Sequence, residues 1–147
     1  MDLILASGSA WRKRLLEGAG MPCRAIAPDV DEDGIVAVDP EATARARALA
    51  KARAVAARTR GDALVIGADQ VVHLDGRLLG KPRDPGAHLA MLVAARGRTH
   101  DLVTAVALLR AGSEGADPRC FLERTRLTMR ADLDDAELEA YVATGEA

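Results

Sequence analysis

The sequence predicts an α/β layered fold with a mixed sheet. Segments that read as strands alternate with segments that read as helices. At least one strand pair is joined by a tight hairpin, so the sheet is not purely parallel. Nearly half of the residues are hydrophobic (49%), yet only Trp11, Phe121 and Tyr141 are aromatic. The layers must therefore close on Ala, Val, Leu and Ile.

Residues 2–6 read as a buried strand. Ser7-Gly8-Ser9 forms a turn, with Ser9 as the N-cap of a helix running to about Glu17 and stopped by Gly18 and Gly20. A second strand is expected over 24–30, before the acidic turn Asp31-Glu32-Asp33-Gly34. Asp39-Pro40 supplies an N-cap and an N1 proline for a long Ala-rich helix to about Thr59. Residues 63–74, "ALVIGADQVVHL", carry the central strand signal. Asp75-Gly76 reads as a type I′ turn, with a return strand over 77–80. Asp84-Pro85 caps a helix to about Arg96, stopped by Gly97. A strand over 99–110, a Gly- and Asp-rich loop and a strand over 119–130 follow. Asp134 and Glu137 form a capping box for a last helix to about Ala143. There is no internal repeat, low-complexity stretch or Pro-rich linker, and the 147 residues are expected to form a single domain.

Composition excludes several functions. No apolar run is long enough for a bilayer, and residues 1–20 lack a signal-peptide hydrophobic core, so no membrane association is expected. The net charge of −2 argues against nucleic acid as a partner. Cys23 and Cys120 form no CxxC pair, so reduced thiols in a cytoplasmic protein are expected. His73, His88 and His100 lack zinc-ligand spacing. There is no GxSxG elbow and no GxGxxG fingerprint. "GRLLGKPRD" approaches a P-loop, but three residues rather than four separate Gly76 and Gly80, and Pro82 follows Lys81.

Charge placement is more informative. A helix N-terminus carries partial positive charge, so Arg12, Lys13 and Arg14 in the first turn of the first helix sit at its unfavourable end. Free N–H groups at a helix start bind phosphate, and cations facing such a ligand would then be well placed. A solvated basic face with a Ser cap is the alternative. Asp69 interrupts an apolar strand, which suits a general base or metal ligand, or else a structural carboxylate bound to a turn. Residues 45–60 hold six cations and no anion. Arg47 and Arg58 there read as a solvated face shared with Lys51. Asp31 and Glu32 serve either a turn or a metal.

Taken together, "LILASGSAWRKRLLE", "KARAVA", "VIGADQVVHLDGRLLGKPRD" and "GRTHDLVTAVAL" resemble, in order, the motifs of the Maf family of nucleotide pyrophosphatases. The resemblance runs from Leu3 to about Gly145. It implies an elongated two-lobed fold with a central cleft, related to inosine triphosphate pyrophosphatases. It implies hydrolysis of a nucleoside triphosphate between the α and β phosphorus atoms, with a divalent metal, Mg or Mn. Asp69 falls on the catalytic position, and Ser7, Arg12, Lys51 and Lys81 fall on substrate-binding positions. Glu32 and Asp69 fall on metal positions. Trp11 and Gln70 match the branch acting on 7-methyl-GTP, whereas Arg and Thr mark the branch acting on dTTP and UTP. A Trp face suits the cationic 7-methylguanine ring, and Gln offers a donor and an acceptor to a base edge. Packing of Trp11 against Leu15 one turn later is the structural alternative. Ala10 stands where the family has Pro. The family continues past residue 147 with a Gly-rich segment and closing strands, so the domain is expected to be C-terminally incomplete. That leaves open dimerisation through an uncovered sheet edge, and a catalytically weak nucleotide-binding or regulatory role.

Overall fold

The computed structural model describes residues 1–112 and 117–145. Part of the loop expected after Arg110 therefore lies outside the described residues. The element order is β1 (Asp2–Ala6), α1 (Ala10–Gly18), β2 (Arg24–Ala25), α2 (Pro40–Ala56), β3 (Ala63–Leu74), β4 (Arg77–Leu79), α3 (Pro85–Ala95), β5 (Thr99–Ala111), β6 (Arg119–Thr128) and α4 (Asp135–Ala143). Among the described residues the sheet has the order β2-β1-β3-β5-β6, with β4 beside β3. It is mixed: β1 runs parallel to both β2 and β3, and β4 runs antiparallel to β3.

The expected element starts rest on local chemistry that the structure contains. Ser9, Asp39, Asp84 and Asp134 are all N-caps whose side chains accept a backbone N–H of the first turn. The capping box at Asp134 and Glu137 is closed in both directions. Asp75 and Gly76 both have positive φ, 48° and 79°, as a type I′ turn requires.

Two elements fall short of their expected ends by more than two residues. The strand over 24–30 pairs only at Arg24 and Ala25, opposite Ile4 and Leu5. Ile26 still donates to the Leu5 carbonyl. β1 then turns away at Ser7 and leaves residues 27–30 without a partner strand. The long helix ends at Ala56, not Thr59, because Arg58 and Thr59 donate to carbonyls three residues back. The chain thus leaves α2 through a tighter winding.

The chain forms two compact units. One comprises residues 1–70 and 104–123, the other residues 71–103 and 124–147. In the first, α2 lies on the sheet through Ala44, Ala48, Ala52 and Val55, all essentially inaccessible to solvent. These positions recur at helical spacing and make one apolar stripe. The approach is close because β3 carries Gly67 there. A Cβ on Gly67 would lie 2.1 Å from the Ala48 carbonyl oxygen and 2.9 Å from the Ala52 Cβ. In the second unit α3 packs on α4. The buried His88 meets Tyr141 edge to face at 5.9 Å, and Arg96 bonds the Leu133 carbonyl and the Asp135 carboxylate.

Candidate active site

β1 ends at Ala6, which pairs with Gly67. The Ser7-Gly8-Ser9 turn therefore leaves the sheet where β3 goes on to Ala68, Asp69 and Gln70. β2 and β3 flank β1 on opposite sides, so the carboxyl end of β1 is a topological switch point, where open α/β sheets bind ligands.

Ser7 is buried, and its Oγ accepts from the Ser9 amide (3.1 Å) and from Arg12 Nη1 (3.5 Å). Ser9 Oγ in turn accepts the Arg12 amide. The turn and the first basic residue of α1 are thus one hydrogen-bonded unit. The other two cations are disposed differently. Lys13 pairs with Glu17 along the helix surface, and the Arg14 guanidinium lies 5.6 Å from the Trp11 ring centroid. No residue of α1 is buried, and Trp11 and Leu15 are 62% and 55% exposed. Packing of Trp11 into a core with Leu15 is therefore not its role.

The strongest electrostatic feature joins three elements. Lys51 of α2 is 3% exposed and Asp69 of β3 is 4% exposed. Lys51 Nζ lies 2.7 Å from Asp69 Oδ1 and 2.7 Å from Glu32 Oε2, and it donates to the Ala68 carbonyl at 3.4 Å. Its three N–H donors are thereby taken up within the protein. A buried charge is stable only when paired in this way. Asp69 Oδ2 is buried as well and has no hydrogen-bond partner. One Asp69 oxygen is anchored and the other is unclaimed.

The acidic turn that brings Glu32 here is fixed from both ends. The Gly34 amide donates to Asp31 Oδ1. Downstream, Arg47 Nε donates to the Ile35 carbonyl, and Thr43 Oγ1 accepts the Ala37 amide. Three basic residues in and just after α2 thus divide: Lys51 is buried in the site, Arg47 ties down the loop, and Arg58 caps carbonyls at the surface. Thr43 and Arg47 were not candidates on sequence grounds. The buried Thr43 lies one position before the apolar stripe of α2, which is the one signal the sequence offered for it. Gln70 is exposed, and its Nε2 donates to Thr104 Oγ1 at 2.8 Å. Lys81 is the expected site residue that belongs to the second unit, where it is exposed in the segment between β4 and α3.

A family model described as Maf-like protein matches residues 2–147. The chain belongs to the Maf-like family. It is 46% identical to a dTTP/UTP pyrophosphatase of Moorella thermoacetica, over 98% of this chain and 72% of that protein. It is 44% identical to a 7-methyl-GTP pyrophosphatase of Cupriavidus pinatubonensis, over 95% of this chain and 68% of that protein. In fold it is similar to the Ham1 protein of Staphylococcus aureus, at a TM-score of 0.57 and 15% identity over 89% of this chain and 73% of that one. A HAM1 protein of Coxiella burnetii gives a TM-score of 0.58 at 17% identity, over 90% and 74% of the two chains. The mixed α/β fold of this Maf-like chain is thus shared with the Ham1 proteins.

For a divalent metal, this Maf-like site provides Glu32 and the free Oδ2 of Asp69. Among the described residues no group of three or more His, Cys, Asp or Glu side chains has metal-binding geometry. Two carboxylates suit Mg²⁺ or Mn²⁺, which bind through one or two carboxylates and complete their shell with phosphate oxygens and water. The residues present therefore fit such an ion together with a polyphosphate.

Proposed function

We propose that this Maf-like chain is a nucleoside triphosphate pyrophosphatase that releases a nucleoside monophosphate and pyrophosphate. The carrying observation is the buried Asp69, anchored through one oxygen and open at the other, at the switch point of the sheet. Its free Oδ2 is the proton acceptor for the attacking water, or positions that water through the metal. Anchoring of Oδ1 by Lys51 fixes the direction in which Oδ2 points, and geometry of this kind lowers the entropic part of the barrier. Arg12 and the Ser7–Ser9 turn hold the polyphosphate. Glu32 and Asp69 would hold Mg²⁺ or Mn²⁺, which supplies electrophilic stabilisation of phosphate charge when bound. The two unpaired cysteines, Cys23 and Cys120, support a reducing, cytoplasmic setting. Among the described residues no helix is long and apolar enough to cross a membrane.

Within this activity, Trp11 and Gln70 support 7-methyl-GTP as substrate. Trp11 is presented to solvent at the first turn of α1, and the Arg14 guanidinium already lies over its ring in the geometry a cationic base would adopt. The 46% identity to a dTTP/UTP pyrophosphatase favours the second reading, a pyrimidine nucleotide. Comparing kcat/KM for 7-methyl-GTP, GTP, dTTP and UTP with Mg²⁺ or Mn²⁺, scored by pyrophosphate release, decides between them. Preference for 7-methyl-GTP is expected. Preference for dTTP would overturn the choice of base, and nucleotide binding without release would favour a regulatory role.

A further inference from the structure

We infer that Lys51 is a resident cation: its ammonium holds Glu32 and Asp69 together, and a divalent metal competes with it for those two carboxylates. This deepens the proposed function, but its observations and its test do not depend on turnover. Lys51 Nζ lies 2.7 Å from an oxygen of each acid, so one small cation already bridges the pair. The side chain is almost fully buried, and its place in the apolar stripe of α2, between Ala48 and Val55, fixes where the ammonium sits.

One further fact identifies the competitor: Asp69 Oδ2 is buried without a partner. A buried acceptor left in that state is costly unless a donor or cation reaches it. A cation that takes Oδ2 and Glu32 must share Glu32 with an ammonium a few ångströms away. Like charges at that separation repel strongly in a site of low dielectric. Lys51 therefore weakens metal binding while preventing the two carboxylates from driving each other apart in the metal-free protein. Its donors are saturated in this arrangement, so it acts as a positioning residue.

The test measures Mn²⁺ binding calorimetrically, and melting temperature in EDTA and in Mn²⁺, for the wild type and Lys51→Met. Lys51→Met is expected to bind Mn²⁺ about tenfold more tightly. It should melt lower in EDTA and gain more from Mn²⁺ than the wild type does. Unchanged or weaker Mn²⁺ affinity in the variant, or no Mn²⁺ binding by either protein, overturns the inference. A second measurement needs no variant. The Lys51 ammonium resonance of ¹⁵N-lysine-labelled wild type should shift as Mg²⁺ is titrated. Mg²⁺ binding that leaves this resonance unmoved also overturns it. Failure of the wild type to release pyrophosphate would sink the proposed activity while leaving the metal exchange to be decided by these readouts.

Discussion

Replacing Asp69 by Asn keeps the shape of the side chain and an oxygen for Lys51 while removing the charge and the basic Oδ2. Glu32 still neutralises Lys51, so the fold is expected to persist. Pyrophosphate release should fall by about 10²–10⁴-fold, the usual cost of losing a general base. Near-normal kcat in a folded Asp69→Asn protein would refute the role. Trp11→Ala tests a different residue property. At 62% exposure the indole contributes little to packing, so the melting temperature should hold. The preference for 7-methyl-GTP over GTP should erode while turnover of the unmethylated nucleotide is maintained. Equal loss on every nucleotide would mean that the ring serves the phosphate turn and not the base. These residues were legible to different degrees. Asp69 was visible because a carboxylate inside "LVIGADQVV" breaks an apolar strand. The burial of Lys51 was obscured because residues 45–60 hold six cations and no anion, which suits a solvated face. One partner of its buried charge is Glu32, 19 positions away and delivered by a loop whose path no local pattern encodes.

The helices and the central hairpin were readable because their signals are local. Asp39-Pro40 and Asp84-Pro85 each satisfy an orphan amide and preset the first helical φ, whatever lies around them. β2 was not readable at its true length, because a strand exists only as far as its neighbour continues. The decisive packing between elements is that of α2 on β3. With Gly67 opposite Ala48 and Ala52, the helix backbone rides directly on the strand, which lets Lys51 reach Asp69. Gly67→Ala would push a methyl group into the Ala48 carbonyl, and backbone cannot yield as a flexible side chain can. We predict destabilisation of about 3 kcal/mol, the upper end for overpacking. The displaced helix should also carry Lys51 away from Asp69, so activity should fall further than the folded fraction. Denaturant midpoints read together with pyrophosphate release check this, and an unaltered midpoint would count against the close approach.

Over the whole chain, no Pro- or Gly-rich linker announced two compact units, because β3, β5 and β6 each pass through both. Whole-chain similarity is equally silent on the base, since relatives named for dTTP/UTP and for 7-methyl-GTP differ by only two percentage points of identity, 46% against 44%. What the units do share is a way of using surface charge. In the first, Arg110 makes two hydrogen bonds to the carboxylate of Asp62. In the second, Arg124 and Arg126 both grip Asp101. The hydrogen bond from Arg110 holds the Asp62 carboxyl below its ordinary value of 3.8, against a smaller opposing effect of desolvation. The hydrogen bond from Arg126, aided by the charges of both arginines, does the same for Asp101.

These depressed carboxyls set the direction of a pH dependence. With the folded pKa below the unfolded one, the unfolded chain binds more protons near pH 3–4, so stability rises with pH there. The contribution of both pairs is complete above pH 3.8 and is lost as pH falls through the folded values. From pH 7 down to about 4.5 these pairs should therefore leave stability flat, with a decline only below that. Both are at the surface, so raising the salt to about 1 M, where the Debye length is near 3 Å, should flatten the acid limb. Asp101→Asn should remove part of that limb and leave stability between pH 5 and 7 close to that of wild type, as pairs at the surface contribute little. Urea midpoints across pH 3–7 at low and high salt provide the measurement. A wild-type decline that begins above pH 5, or an acid limb indifferent to salt, would assign the acid sensitivity to other groups.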